Sequence, residues 1–169
     1  MSGRAIPRSF RGSGLAALAL LCAPLVVAQD DGAISGKAYV VDGNILTIKG
    51  RKVRLFGVDA PDRKQTCTNE RGGAYPCGVR AALALDAMVR GKEITCQPRG
   101  IGADHLVLAT CSLAGLDLAS AMVESGWAVA NIDFAPQYAQ TQGAAKAAKI
   151  GIWAGPFEDP AVWRAEHGA

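Results

Sequence analysis

The sequence predicts an α+β fold, a five-stranded barrel of the OB type with three helices. Two observations lead there. Strands and helices are segregated along the chain rather than alternating, which argues against a βαβ sheet. A helix falls between the third and fourth strand-like runs and two more follow the fifth, an order that suits a small closed Greek-key barrel. No internal repeat and no low-complexity linker interrupts this order.

ISGKAYVVD (Ile34–Asp42) reads as the first strand. NILTIK and KVRLFGV follow as two β-rich runs, and Gly50 between them predicts a tight hairpin. Arg63 to Pro76 is a polar loop. GVRAALALDAMVRG (Gly78–Gly91) is rich in helix formers, has apolar residues at Leu83, Leu85, Met88 and Val89, and ends on a glycine. KEITCQP and HLVLATCSL are the remaining strands, separated by Arg99 to Asp104. LDLASAMVESG is a second helix and Pro136–Gly151 a third, weakened at Gly143. The tail IWAGPFEDPAVWR reads as irregular and aromatic.

Residues 1–28 read as a signal peptide and 29–169 as a single domain. The start carries Arg4, Arg8 and Arg11 and no acid, then the apolar run Leu15 to Ala28, with Val26 and Ala28 as a small-residue cleavage site. That run is short for a membrane span and contains Pro24; an uncleaved anchor is the alternative. The leader changes the charge balance. The whole chain has 18 Lys+Arg against 15 Asp+Glu, but the excess is the three leader arginines, so the remainder is balanced. Within it, the part up to residue 99 is basic and the part after it acidic. The bases gather around KGRKVR (Lys49 to Arg54), which offers a patch for phosphate or a solvated hairpin edge that discourages strand pairing. A chain with no broad positive field is a poor general binder of long nucleic acid.

Outside the leader stand four cysteines, Cys67, Cys77, Cys96 and Cys111. An even number in an exported chain reads as two disulfides, and sequence neighbours pair as Cys67–Cys77 and Cys96–Cys111. Loops of this size give about 3 kcal/mol each by chain entropy. A four-cysteine zinc site is disfavoured, because no C-x-x-C knuckle is present. Export to the periplasm or the medium follows from leader and cysteines together.

The chemistry lies in RLFGVDAPD, Arg54 to Asp62. Arginine suits a phosphate and paired carboxylates suit a cation. By itself, Asp59-Ala60-Pro61 is an ordinary turn. With the upstream Asp42-Gly43, the string VVDGN…LTIKGRKVRLFGVDAPD resembles the signature of the staphylococcal-nuclease-like (thermonuclease) family, Asp-Gly-Asp-Thr followed by Arg-Leu-x-Gly-Ile-Asp-x-Pro-Glu. CTNERGGAYPCGVRAA and AKIGIWAG resemble the cysteine-bearing loop and closing helix of its exported bacterial members. The resemblance runs from Val41 to about Trp163. It implies an OB barrel, a calcium ion among acidic side chains and a backbone carbonyl, two arginines on the phosphate, and a glutamate that activates water.

On that resemblance, Arg54 is the first phosphate arginine, and Asn44, Asp59 and the backbone carbonyl of Ala60 are the metal ligands. Asp62 stands for the glutamate. Arg54 and Asp59 are five residues apart, so they converge only if the strand bends, which Gly57 permits. Several positions depart from the pattern. Asn44 replaces an aspartate, so calcium affinity falls. Ile45 replaces a threonine. Asp62 is shorter than glutamate by a methylene. Leu106 occupies the position of the second arginine, with His105 beside it and Arg99 in the preceding loop. Asp42 reads as a turn residue, and Trp127, Trp153 and Trp163 as packing residues.

The expectation is an exported protein of nuclease ancestry with a degraded one-metal phosphodiesterase site. Hydrolysis is weak or absent, Ca2+ binding weak, and single-stranded nucleic acid or another phosphate-bearing ligand the partner of a monomer. A slowed calcium-dependent nuclease and a structural or partner-binding envelope protein are the alternatives.

Overall fold

A computed structural model describes residues 32–168. The leader expected at 1–28 lies outside the described residues. Five strands build the barrel: β1 (Ile34–Asp42), β2 (Ile45–Ile48), β3 (Arg51–Leu55), β4 (Glu93–Ile101) and β5 (Val107–Leu113). β1 starts as strict alternation, with Ile34, Gly36 and Ala38 inward and Ser35, Lys37 and Tyr39 outward, the period of a half-buried strand. It pairs antiparallel with β2 on one side and β4 on the other. β2 pairs with β3 through a two-residue turn in which Lys49 and Gly50 both take positive φ, the primed geometry whose twist matches the strands. β4 and β5 are antiparallel. The ring closes by a parallel ladder between β3 and β5: Val53 lies opposite Val107, Arg54 opposite Leu108, and Leu55 opposite Ala109.

The barrel interior is filled by Leu46, Ile48, Val53, Leu55 and Ile94, against which helix α1 (Cys77–Val89) lays Ala81, Leu85 and Val89. Helix α2 (Leu118–Glu124) buries Leu118, Met122 and Val123. Its first turn is capped by Asp117, which accepts from the N–H groups of Ala119 and Ser120 and from the Tyr138 hydroxyl at 2.6 Å. A short 3₁₀ turn leads into α3 (Ala139–Ala147).

Both expected disulfides form, Cys67–Cys77 and Cys96–Cys111. The first ties the polar loop to the start of α1. Over it packs a second apolar cluster of Ile152, Trp153 and Phe157, with the rings of Trp153 and Phe157 edge to face at 4.9 Å. Trp127 joins both clusters, so Trp127 and Trp153 are packing residues, as expected.

The tail departs from its irregular reading. Asp159 accepts from the N–H of Ala161 at 2.9 Å and Pro160 takes the first helical position, so a fourth helix, α4 (Pro160–His167), begins there. Asp at the N-cap and Pro next to it is a helix start signal, and Gly168 ends the helix in the left-handed conformation. The aromatic content of the tail obscures that signal.

Gly78 couples α1 to the turn at Asp62. A Cβ there would lie 1.7 Å from the carbonyl oxygen of Asp62, so the first turn of α1 lies flush on the Asp62 backbone. Gly78→Ala is expected to cost about 1–3 kcal/mol as an overpacked contact, measured by urea unfolding of the oxidised protein.

Candidate functional site

The site begins with a bend. After β3 the chain turns at Gly57, whose φ is +78°, a conformation that favours glycine. Val58–Asp59 then pairs antiparallel with Val129–Ala130. The bend breaks the alternation that would have set Arg54 and Asp59 on opposite faces. Arg54 Nη1 stands 4.0 Å from Asp59 Oδ1. The closing ladder carries the loop 102–106 past the same arginine, so Arg54 donates from Nε and Nη2 to Asp104 Oδ2 at 3.0 and 2.5 Å.

Asn44 sits just past a register shift at the end of β1. It is 2% exposed. Its Nδ2 donates to the carbonyl of Val58 and to Asp59 Oδ1, both at 3.2 Å. The other Asp59 oxygen, Oδ2, accepts from Nη2 of Arg164, on α4. Ala60 is buried directly after it. Asp62 stands at a turn. Its Oδ1 accepts from the Lys64 N–H at 3.0 Å, and its backbone N–H donates to Gln65 Oε1 at 3.3 Å.

Two hollows share this wall. The larger, about 560 Å³, runs from Arg54 and Asp59 past Gly57 to Ile101, Phe134 and Arg164. The smaller, about 250 Å³, is lined by Asp42, Asn44, Asp62, Asp104, Leu106 and Arg164, among others. The structure therefore gathers Arg54, Asn44, Asp59, Asp62 and Leu106 around one cleft, and Leu106 does face it. Arg99 does not line either hollow; its guanidinium lies over the Phe56 ring, 5.4 Å from the centroid. His105 is exposed, at the tip of the loop, with positive φ.

Three cleft residues escape the sequence as site residues. Asp42 accepts from the Gly43 N–H at 2.8 Å, as a turn residue should, but it also lines the smaller hollow. Asp104 stands in the sequence only as the end of a loop. Arg164 belongs to a tail that reads as irregular, and the Asp159-Pro160 start signal is the one cue that places it on a helix.

The electrostatics follow from the packing. Burial pushes the Asp42 carboxyl up, with the charge of Asp62 adding to it and the Gly43 N–H pulling the other way. For Asp104, burial is outweighed by the hydrogen bond and charge of Arg54 and by the Leu106 N–H, so its carboxyl is held below the ordinary 3.8. Burial disfavours the charge of Arg164, but the hydrogen bond and charge of Asp59, with Asp62 and Asp42 behind it, overcome that and hold it above its usual range. Four carboxylates face two guanidiniums.

The OB barrel carries an arginine, a carboxylate across a glycine bend and an acid at the following turn, an arrangement in keeping with the staphylococcal-nuclease-like class. The chain belongs to that class by comparison as well. The family model described as staphylococcal nuclease homologue matches residues 52–155, and this chain is a member of that family. It is 37% identical over 159 residues to "Succinoglycan biosynthesis protein ExoI" of Rhizobium meliloti (strain 1021), covering 89% of this chain and 83% of that protein. It is 30% identical over 134 residues to "Uncharacterized endonuclease" of Haemophilus influenzae, covering 74% of this chain and 69% of that one.

Calcium dependence is general in that family, and the cleft can be tested for its fit to such an ion. Calcium takes six to eight oxygen ligands. Here both oxygens of Asp59 meet N–H donors, the Asn44 amide and the Arg164 guanidinium. Among the described residues, the one His, Cys, Asp and Glu group that converges closely enough for an ion is Glu158, Glu166 and His167, away from the cleft lining. As arranged, with both Asp59 oxygens accepting from donors and an amide at Asn44, the cleft offers the ion a poor fit.

The depressed Asp104 carboxyl has a pH signature. Its stabilisation is present above the unfolded value near 3.8 and is lost as pH falls through the lower folded value. NMR titration of Asp104 is expected to give a midpoint below 3.8, moving upward in Arg54→Ala.

Proposed function

We propose that the protein is exported, tied by its two disulfides, and uses this cleft to bind single-stranded nucleic acid or another phosphate-bearing ligand, with weak or absent calcium-dependent hydrolysis. The carrying observation is that the Asp59 carboxylate is already engaged by Arg164 and the Asn44 amide, while Leu106, which the resemblance sets at the place of the family's second arginine, lines the cleft. Loss of one preorganised donor costs about 10²- to 10³-fold in rate. A displaced base forfeits up to about 10²- to 10⁴-fold. Such losses do not simply multiply, but together they remove much of an enzyme's advantage.

Binding asks less of the site. Arg54 offers a fork suited to phosphate, and its partner Asp104 is partly exposed. Exposed pairs contribute about 0–1 kcal/mol, so an incoming phosphate can take the fork from Asp104. Two disulfides, and no helix among the described residues long and apolar enough to cross a membrane, accord with an exported protein.

One observation favours a slowed nuclease as the second reading. Arg54, Asp59 and Asp62 keep their places around one cleft, and a relative carries the name endonuclease.

The deciding experiment incubates the oxidised protein with single-stranded DNA, with calcium and with chelator. Binding without cleavage is expected. Brisk calcium-dependent cleavage that Arg54→Ala abolishes would overturn the proposal. Binding, followed by fluorescence anisotropy at low salt in chelator, should weaken about 10-fold or more in Arg54→Ala. It should strengthen about 5-fold at most in Asp104→Asn, the worth of an exposed pair. The double substitution Asn44→Asp with Leu106→Arg is expected to raise cleavage above that of the unsubstituted chain.

A further inference from the structure

We propose that Arg164 is a tethered cation: its guanidinium takes the place at Asp59 that a divalent ion would need, so Asp59 has a cationic partner without metal. The inference rests on the reading of the cleft as a weakened calcium site and adds what stands in for the ion.

The guanidinium is bonded to Asp59 Oδ2. It also lines the hollow that holds Asp42, Asn44 and Asp62. Asn44 is, with Asp59, one of the side chains on which an ion at this place would depend. Asn44 fits the same account. An amide can donate to Asp59 Oδ1, as it does at 3.2 Å, where a second carboxylate would repel it. With a fixed positive charge already beside Asp59, a further formal negative is not required.

The helix that delivers Arg164 is anchored for the task. Gln65, wholly buried, donates from Nε2 to the carbonyl of Glu158 at 2.7 Å and accepts at Oε1 from the Asp62 N–H at 3.3 Å. One side chain thus links the turn at Asp62 to the residues that begin α4. Asp159 caps the helix and Pro160 is buried. From there the rest of α4 is exposed or half-buried, so Arg164 is its main polar tie to the cleft.

A tethered guanidinium also differs from an ion in what it does to a phosphate. It is present at any calcium concentration, and it stands with Arg54 on either side of one carboxylate. The ligand class is therefore a phosphate mono- or diester held independently of divalent ions.

The test is calcium binding by isothermal titration calorimetry on the oxidised full-length chain, beside Arg164→Gln and Arg164→Lys. The unsubstituted chain and Arg164→Lys, which keeps the charge, are expected to show no site up to about 10 mM calcium. Arg164→Gln should gain one in the range of about 1 mM typical of weak extracellular sites, a tightening of at least about 10-fold, abolished by adding Asp59→Asn. If Arg164→Gln is poorly folded, the same gain is read as a calcium-dependent rise in its melting temperature that the unsubstituted chain lacks. An Asp59-dependent calcium site in the unsubstituted chain overturns the inference. So does an Arg164→Gln variant that remains blind to calcium by both measures. Cleavage by the unsubstituted chain in calcium would instead overturn the functional reading.

Discussion

The parallel ladder between β3 and β5 is the constraint on which the rest depends. It closes the barrel and sets Arg54 opposite Leu108. Because β5 is entered from the loop 102–106, closure also brings Asp104 and Leu106 to the arginine's side. The chain leaving β3 makes one more bond to the closing strand, from the Phe56 N–H to the Ala109 carbonyl at 2.9 Å. It bends at Gly57, and the bend returns Asp59 to within 4.0 Å of Arg54. The cleft is thus a by-product of barrel closure and one left-handed residue.

Within the cleft, charge decides what can enter. Four carboxylates and two guanidiniums leave it acidic, yet the most central carboxylate, Asp59, is the one whose two oxygens are both taken by donors. The remaining acids divide by solvation. Asp42 is pressed toward its neutral form by burial, whereas Asp104 is more exposed and held ionised by Arg54. An approaching anion therefore meets its weakest obstacle at Asp104, which sits on a loop, and its strongest at Asp59, which sits under a helix. This ordering favours entry from the side of Arg54 and the 102–106 loop.

Much of the fold is legible in the sequence because its signals are local. Alternation marks β1 at its observed bounds, the Lys49-Gly50 turn marks the hairpin, and adjacent cysteines mark both disulfides. One glycine between an arginine and an aspartate is enough to permit the bend at Gly57. The parts that escape are non-local. α4 is short, and its start signal, Asp159-Pro160, stands among aromatic residues that suggest an irregular tail. That Arg164 meets Asp59 depends on where the helix lands after the second apolar cluster turns the chain, and no periodicity carries that information. Asp104 escapes for the same reason, since its partnership with Arg54 exists only once the barrel is closed.

Much of the stability is carried by residues that take no part in the polar network of the cleft. The two disulfides and the cap of α2 make no bond to Asp59, though its neighbours Val58 and Ala60 belong to the apolar core. A disulfide closing a loop of this length contributes about 3 kcal/mol, on the order of a third of a typical domain's net stability. With that much held elsewhere, changes at the cleft's exposed polar side chains need not threaten the fold. The exception is the turn at Asp62. It is pressed by Gly78 from one side and held by buried Gln65 from the other. Through Gln65 it is also joined to the start of α4. The backbone at Asp62 is thus held from two sides. Arg164 is held to the same cleft by α4, whose start is joined to that turn through Gln65.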